Sequence, residues 1–211
     1  MSDTWGSSDL KIAVVAVQGG VEEHESILKA AGERVGEDVD VVWARYPEDL
    51  EDVDAVVIPG GESTTIGRLM ERHDLVKPLL ELSESDTPIL GTCSGMVLLA
   101  REVVPQAHPG AEVEIEQPLL GLMDVRVIRN AFGRQRESFE ADVEIEGFED
   151  RFRAVFIRAP AVDEVLSDDV KVLAEYGDHI VAVEQDHLLA TAFHPELTDD
   201  PRLHAYFLEK V

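Results

Sequence analysis

The sequence predicts an α/β fold: a three-layer, mostly parallel central sheet with helices on both faces and antiparallel additions. Three observations carry this reading. Val-rich apolar runs without polar alternation recur through the first hundred residues, as in strands buried on both faces. Each is followed by a turn and a helix-period stretch, the order that builds a parallel sheet. Past residue 120, short strand-like pieces crowd together with turn signals between them.

Residues 11–17 (KIAVVAV) make the first strand, and Gln18-Gly19-Gly20 the turn after it. A helix over 21–31 follows, with acidic residues in its first turn, where the helix dipole favours them. Residues 39–44 and 53–58 are the second and third strands, the latter ending in Pro59-Gly60-Gly61. Helices are expected from about Thr64 to His73 and from Lys77 to Leu82. A fourth strand, 88–92, runs into Cys93 and an apolar helix, 95–103. Residues 105–118, rich in Pro, Gly and acids, read as a long loop. The strand-like pieces after it are 124–128, 138–146, 153–158, 170–176, 179–184 and 188–193, expected as additions to the main sheet. A last helix starts near Pro201, with Asp200 as its N-cap.

The first ten residues read as a flexible acidic tail without the features of a secretory signal, and 11–211 as a single domain. No apolar run reaches the ~18 residues that span a bilayer. Acidic residues number 44 against 18 basic, for a net charge of −26. Such a surface repels nucleic acid and anionic membranes. Its self-repulsion also suggests adaptation to a salty cytoplasm, since ~1 M salt shortens the screening length to about 3 Å. The lone Cys93 excludes an intrachain disulfide, which fits a reducing, cytoplasmic location. It also cannot build a structural zinc site of the usual ligand set.

That cysteine sits in Gly91-Thr92-Cys93-Ser94-Gly95, between an apolar strand and an apolar helix. This is the thiol version of the nucleophile elbow, whose glycines permit a tight strand-to-helix turn. The elbow lifts the sulfur to the carboxyl end of the sheet and to a helix N-terminus, which favours thiolate. A small buried cysteine in a packed turn would carry the same pattern. His194-Pro195-Glu196 adds the remaining chemistry. In an extended segment, residues two apart share a side, so Glu196 can orient the His194 imidazole. The imidazole then takes the thiol proton and returns it to a leaving amine. Alone, this tripeptide would read as a surface His beside an acid. The other histidines read mostly as solvated, with His24 structural or interfacial. Pro59-Gly60-Gly61-Glu62-Ser63-Thr64-Thr65, again just past a strand, offers backbone N–H groups to an oxyanion or simply caps a helix. The N–H of Ser94 is the natural second donor.

Together, AVQGGVEEH at 16–24, PGGESTT at 59–65, GTCSGM at 91–96, RNAFGRQRESFEAD at 129–142, FIRAP at 156–160 and FHPELTDD at 193–200 resemble the class I (triad) glutamine amidotransferase family. Within it, the chain is most similar to the glutaminase subunits of pyridoxal 5′-phosphate synthase. The resemblance spans nearly the whole chain beyond Leu10. It implies Cys93 as nucleophile, His194 as general base and Glu196 as its orienting partner. It implies backbone oxyanion donors at Gly61 and Ser94, and glutamine binding by Gly61, Glu62, Ser63, Arg129, Ile157 and Arg158. Arg129 or Arg158 suits the α-carboxylate of L-glutamine, since guanidinium pairs bidentately with carboxylate. It further implies a (β/α)₈-barrel synthase subunit as the partner receiving ammonia, and weak activity until docked. No cofactor and no metal are expected, because a thiolate needs neither to split an amide. Gly20 and Ser94 stand where Ala is common, and Ala131 and Ala161 where Ser and His are frequent. Two other readings carry different predictions: a stand-alone cysteine peptidase or γ-glutamyl hydrolase, and a catalytically dead regulatory partner. The complete Cys…His-x-Glu set argues against the latter.

Overall fold

A computed structural model of the chain describes residues 9–105, 117–133 and 138–211. Residues 106–116 of the loop expected over 105–118, and most of the N-terminal tail, lie outside the described residues.

The alternation read in the first half is present. Strand β1 (Leu10–Val15) leads into helix α1 (Val21–Val35), then β2 (Val39–Ala44), a 3-10 turn (Pro47–Leu50) and β3 (Ala55–Ile58). Helices α2 (Ser63–Arg72) and α3 (Val76–Glu84) precede β4 (Ile89–Thr92) and α4 (Ser94–Leu99). The second half holds β5 (Ala100–Val104), β6 (Met123–Ile128), β7 (Ser138–Val143), β8 (Phe152–Ile157) and β9 (Ala161–Val165). It closes with β10 (Lys171–Tyr176), β11 (His179–Gln185), β12 (Leu188–Thr191), a 3-10 turn (Pro195–Leu197) and α5 (Arg202–Leu208).

The main sheet runs β2-β1-β3-β4-β12-β11-β9-β6-β5, with β10 paired to β11. Strands β2, β1, β3, β4 and β12 are mutually parallel, and β11 turns the sheet antiparallel. Every residue of β3, β4 and β12 is buried. Both faces of the central strands are therefore covered, which explains their uninterrupted apolar sequence. Helix α1 packs on α5, and α2 on α4.

Four expectations need correction. The helix read over 95–103 ends at Leu99, and residues 100–104 pair in parallel with β6. A short apolar run has no decisive period, and here pairing with a distant strand wins. β7 and β8 leave the main sheet to form their own two-stranded ribbon, on which Phe139 and Phe156 stack with centroids 4.7 Å apart. Residues 161–165, unassigned from the pattern, form the β9 bridge between β6 and β11. Helix α5 starts one residue later than expected, at Arg202, whose N–H donates to the Asp200 carboxylate at 3.1 Å.

The core topology places three motifs side by side. Ile58 of β3 pairs with Gly91 of β4, and Thr92 of β4 pairs with Thr191 of β12. The chain after β3 is Pro59-Gly60-Gly61, after β4 it is Cys93, and after β12 it leads to His194. Three adjacent parallel strands thus deliver all three to one sheet edge, the carboxyl end where open α/β sheets bind ligands.

Candidate active site

The turn at Cys93 is as tight as its glycines suggest. Cys93 has φ 50° and ψ −101°, outside the ordinary allowed regions, a strain of roughly 1–3 kcal/mol that surrounding structure must hold. Its N–H donates to the Thr191 carbonyl at 2.7 Å, anchoring the turn to β12. A Cβ at Gly95 would stand 2.2 Å from the Ile58 carbonyl oxygen, so no other residue fits where α4 crosses β3.

His194 comes to the same place from β12. Its N–H donates to the Val155 carbonyl at 2.8 Å, tying it to β8. Its Nδ1 lies 2.7 Å from Glu196 Oε1. The segment holding them is a 3-10 turn, not the extended stretch expected, yet the two side chains still meet. Glu196 is buried behind the imidazole. Burial alone pulls the His194 pKa down. Hydrogen bonds and charge interactions with Cys93 and Glu196 outweigh it and raise the pKa to about 10. The thiol, imidazole and carboxylate are thus in one connected row.

These groups open onto a cleft of about 370 Å³. Its wall includes Gly61, Glu62, Ser63, Cys93, Ser94, Arg129, Ile157, Arg158 and His194, every residue the sequence singled out except Glu196. The Cys93 sulfur lies 3.9 Å from the Ile157 carbonyl oxygen. Glu62 caps α2 by accepting from Thr64 N and Thr65 N and binds Arg129 Nη2 at 3.1 Å. Burial raises its carboxyl pKa, but these donors and Arg129 prevail and hold it at about 2. Arg129 is further engaged by Thr64 Oγ1 and Gln117 Oε1. Arg158, exposed in the cleft wall with φ 43°, has no ion-pair partner among the described residues. Gly61 differs from the expectation in one respect. Its N–H donates to Ser94 Oγ at 3.1 Å, and its carbonyl accepts from the same hydroxyl at 2.5 Å. The backbone donor assigned to an oxyanion is therefore occupied by Ser94. Ser94 itself opens α4, where the first N–H groups have no intrahelical acceptor. Among the described residues no cluster of ligands suits a metal ion.

Residues 14–211 match the SNO glutamine amidotransferase family. The chain belongs to that family. It is 93% identical over 202 residues to pyridoxal 5′-phosphate synthase subunit PdxT of Methanopyrus kandleri, covering 96% of this chain and all of that one. It is 50% identical to the subunit of the same name from Thermococcus onnurineus, over 95% and 98% of the two chains. A crystal structure of a glutamine amidotransferase superposes with a TM-score of 0.79 at 45% identity, over 94% of this chain and 97% of that one. The fold extends to a glutamine amidotransferase of Thermotoga maritima at 16% identity, with a TM-score of 0.57 over 96% and 91% of the chains.

Three features of this amidotransferase's site escaped sequence reasoning. Gly60 is the wedge between the catalytic candidates: a Cβ there would stand 2.3 Å from His194 Cε1 and 3.2 Å from Cys93 Cβ. Gln18, read only as a turn residue, reaches the cleft and accepts the Glu62 N–H at 3.2 Å. His204, read as solvated, is fully buried and lies 3.1 Å from His24. A signal existed for both histidines. His24 shares helical spacing with buried Ile27, Leu28 and Ala31, and His204 with Phe207 and Leu208.

Proposed function

We propose that the chain is the glutaminase subunit of pyridoxal 5′-phosphate synthase. It hydrolyses L-glutamine to L-glutamate and ammonia, and a synthase subunit, a (β/α)₈ barrel, consumes the ammonia. The observation that carries this reading is the meeting of Cys93 and His194, 101 positions apart in sequence, in one cleft beside a glycine turn. Family membership and the 93% identical relative supply the substrate and the product pathway.

In the proposed reaction the Cys93 thiolate attacks the side-chain amide carbon of glutamine. Its electron pair forms the C–S bond, and the carbonyl pair moves to oxygen. The N–H of Ser94 receives that oxyanion, joined by Gly61 once its N–H exchanges Ser94 Oγ for the substrate. His194, held protonated against Glu196, gives its Nε2 proton to the departing nitrogen, and ammonia leaves a glutamyl thioester. Water then attacks the thioester with neutral His194 accepting its proton, and glutamate departs as the sulfur recovers its pair. Arg158 is the better partner for the α-carboxylate, because Arg129 is already committed to Glu62, Thr64 and Gln117. The reaction needs no cofactor. No helix among the described residues is long and apolar enough to cross a membrane, and a free catalytic thiol suits the cytoplasm.

The test is ammonia release from glutamine by the chain with its synthase subunit. Wild type should turn over, and Cys93→Ala should reduce the rate to background. Turnover surviving in Cys93→Ala, or peptide cleavage without glutamine hydrolysis, would overturn the assignment.

A further inference from the structure

Behind Glu196 lies a second pair of imidazoles that the proposed reaction does not use. His24 projects from α1 and His204 from α5, and both are completely buried. His24 Nδ1 lies 3.1 Å from His204 Nε2. His24 Nε2 lies 3.2 Å from Thr92 Oγ1, next to the nucleophile, and 3.6 Å from Glu196 Oε2. Oε2 is the carboxylate oxygen that His194 does not take, and it is buried with no hydrogen-bond partner among the described residues, His24 Nε2 standing just beyond hydrogen-bond range.

We propose that His24 and His204 are positioning residues for the triad: a neutral imidazole pair locked in one tautomer, which aims the Nε2–H of His24 at Glu196 Oε2 and Thr92. The inference rests on the glutaminase reading for its activity readouts, but not for its chemistry. A carboxylate offers only acceptors, so its negative charge 3.6 Å away favours the proton on the ring nitrogen that faces it. A neutral imidazole has one such proton, which leaves His24 Nδ1 bare and able only to accept. His204 Nε2 therefore donates to it, and His204 Nδ1 is left as a lone pair. That atom is buried and without a hydrogen-bond partner among the described residues. The opposite arrangement would leave an N–H orphaned at His204 Nδ1 and a lone pair facing the carboxylate. Orphaned buried N–H groups are the rarer and costlier case. Both rings are kept uncharged, principally by burial; the two adjacent rings would also repel if both took a proton, and the nearby His194 cation further disfavours charge on His24.

The titratable and polar groups facing His24 come from three other segments. They are His204 from α5, Thr92 from β4, and Glu196 and His194 from the segment after β12. Exposed Glu23 stands across Gly20 from Glu196. One ring thus spans the end of the nucleophile's strand and the turn that carries the carboxylate. Groups packed behind a functional imidazole–carboxylate pair can fix its geometry, as outer-shell partners do for metal-bound histidines.

The test has two parts. In the wild-type chain, ¹⁵N NMR of labelled histidines should show His24 and His204 as neutral Nε2–H tautomers at pH 7. An Nδ1–H tautomer or a cation at either ring overturns the proposal, and no variant needs to fold for this reading. The second part compares His24→Leu, which removes the donor, with His24→Gln, whose Nε2 can replace it. The expected result for Leu is a loss in kcat of about 10-fold or more with KM for glutamine nearly unchanged, as for removal of an orienting partner, and partial recovery with Gln. Because Cys93 is the sole cysteine, its alkylation by iodoacetamide reports thiolate directly, with or without glutaminase turnover. Its pH profile should move upward in Leu and back toward wild type in Gln. A Leu profile superimposable on wild type, or Gln no better than Leu at equal folding, sinks the idea. If wild type fails to hydrolyse glutamine, the function is wrong while tautomers and alkylation still judge the pair.

Discussion

Gly60 and His194 are in steric register: a single methyl at residue 60 would stand 2.3 Å from the imidazole Cε1 and 2.9 Å from its Nδ1. The glycine after β3 sets where the imidazole from β12 can stand. Gly60→Ala should therefore displace His194 by about 1 Å, a shift that costs on the order of 100-fold in rate. Ammonia release with the synthase subunit measures it, and a rate within a few-fold of wild type would show that the ring is placed by something else.

The raised pKa of His194 makes a separate prediction about pH. The folded value, about 10, lies above the value near 6.5 of an unfolded imidazole. Its contribution to stability is therefore complete below pH 6.5 and disappears as pH climbs through 6.5 toward 10. NMR should find the wild-type ring still protonated at pH 8. In Cys93→Ala, burial remains while one favourable partner is gone, so the ring should titrate at distinctly lower pH. Equal titration in the two proteins would exclude the sulfur as the source of the shift.

His24 and His204 act in the opposite direction. Their folded pKa values are lowered, His204 to about 3, so the unfolded chain binds protons that the folded chain refuses. Stability from this source is present above pH 6.5 and falls as pH drops below it. With two such groups the dependence is steep, up to about 3 kcal/mol per pH unit if they act independently. Urea unfolding at pH 7, 6.5 and 6 should show this decline, in a range where ordinary carboxylates are still almost fully charged. A flat profile over that range would mean the pair accepts a proton without unfolding.

Ser94 holds both the N–H and the carbonyl of Gly61. Removing the hydroxyl in Ser94→Ala frees the N–H for a substrate oxyanion. One such hydrogen bond is worth about 1 kcal/mol, or roughly five-fold. The chain without its partner should gain about that much in kcat/KM for glutamine. An unchanged or lower value would mean that Gly61 is not limited by this contact.

Much of this site was legible because it depends on local chain geometry. The glycines around Cys93 announced a tight turn, and the His194-Pro195-Glu196 spacing brought its side chains together even though the backbone there is a 3-10 turn rather than extended. What escaped was set by contacts between distant segments. Nothing in Ala100–Val104 reveals that β6 will pair with it, and nothing near His204 announces His24, 180 positions away. The committed state of Arg129 likewise follows from Glu62, Thr64 and Gln117 converging in space.

The surface charge carries the last prediction. With 18 basic residues for 44 acidic ones, the available cations are shared: Arg126 faces Glu102, Asp163 and Glu164, and Arg153 faces Glu140 and Asp142. Such exposed pairs add little to stability and leave the remaining carboxylates repelling one another across the surface. Salt acts on that repulsion over distance, the screening length falling from about 30 Å at 0.01 M to about 3 Å at 1 M. The melting temperature should rise across that range by at least about 4 °C, the change that 1–2 kcal/mol produces in a chain of this size. Most of the rise should come at the low end, where the screening length changes most, whereas a melting temperature independent of salt would mean the acidic surface imposes no cost on the fold.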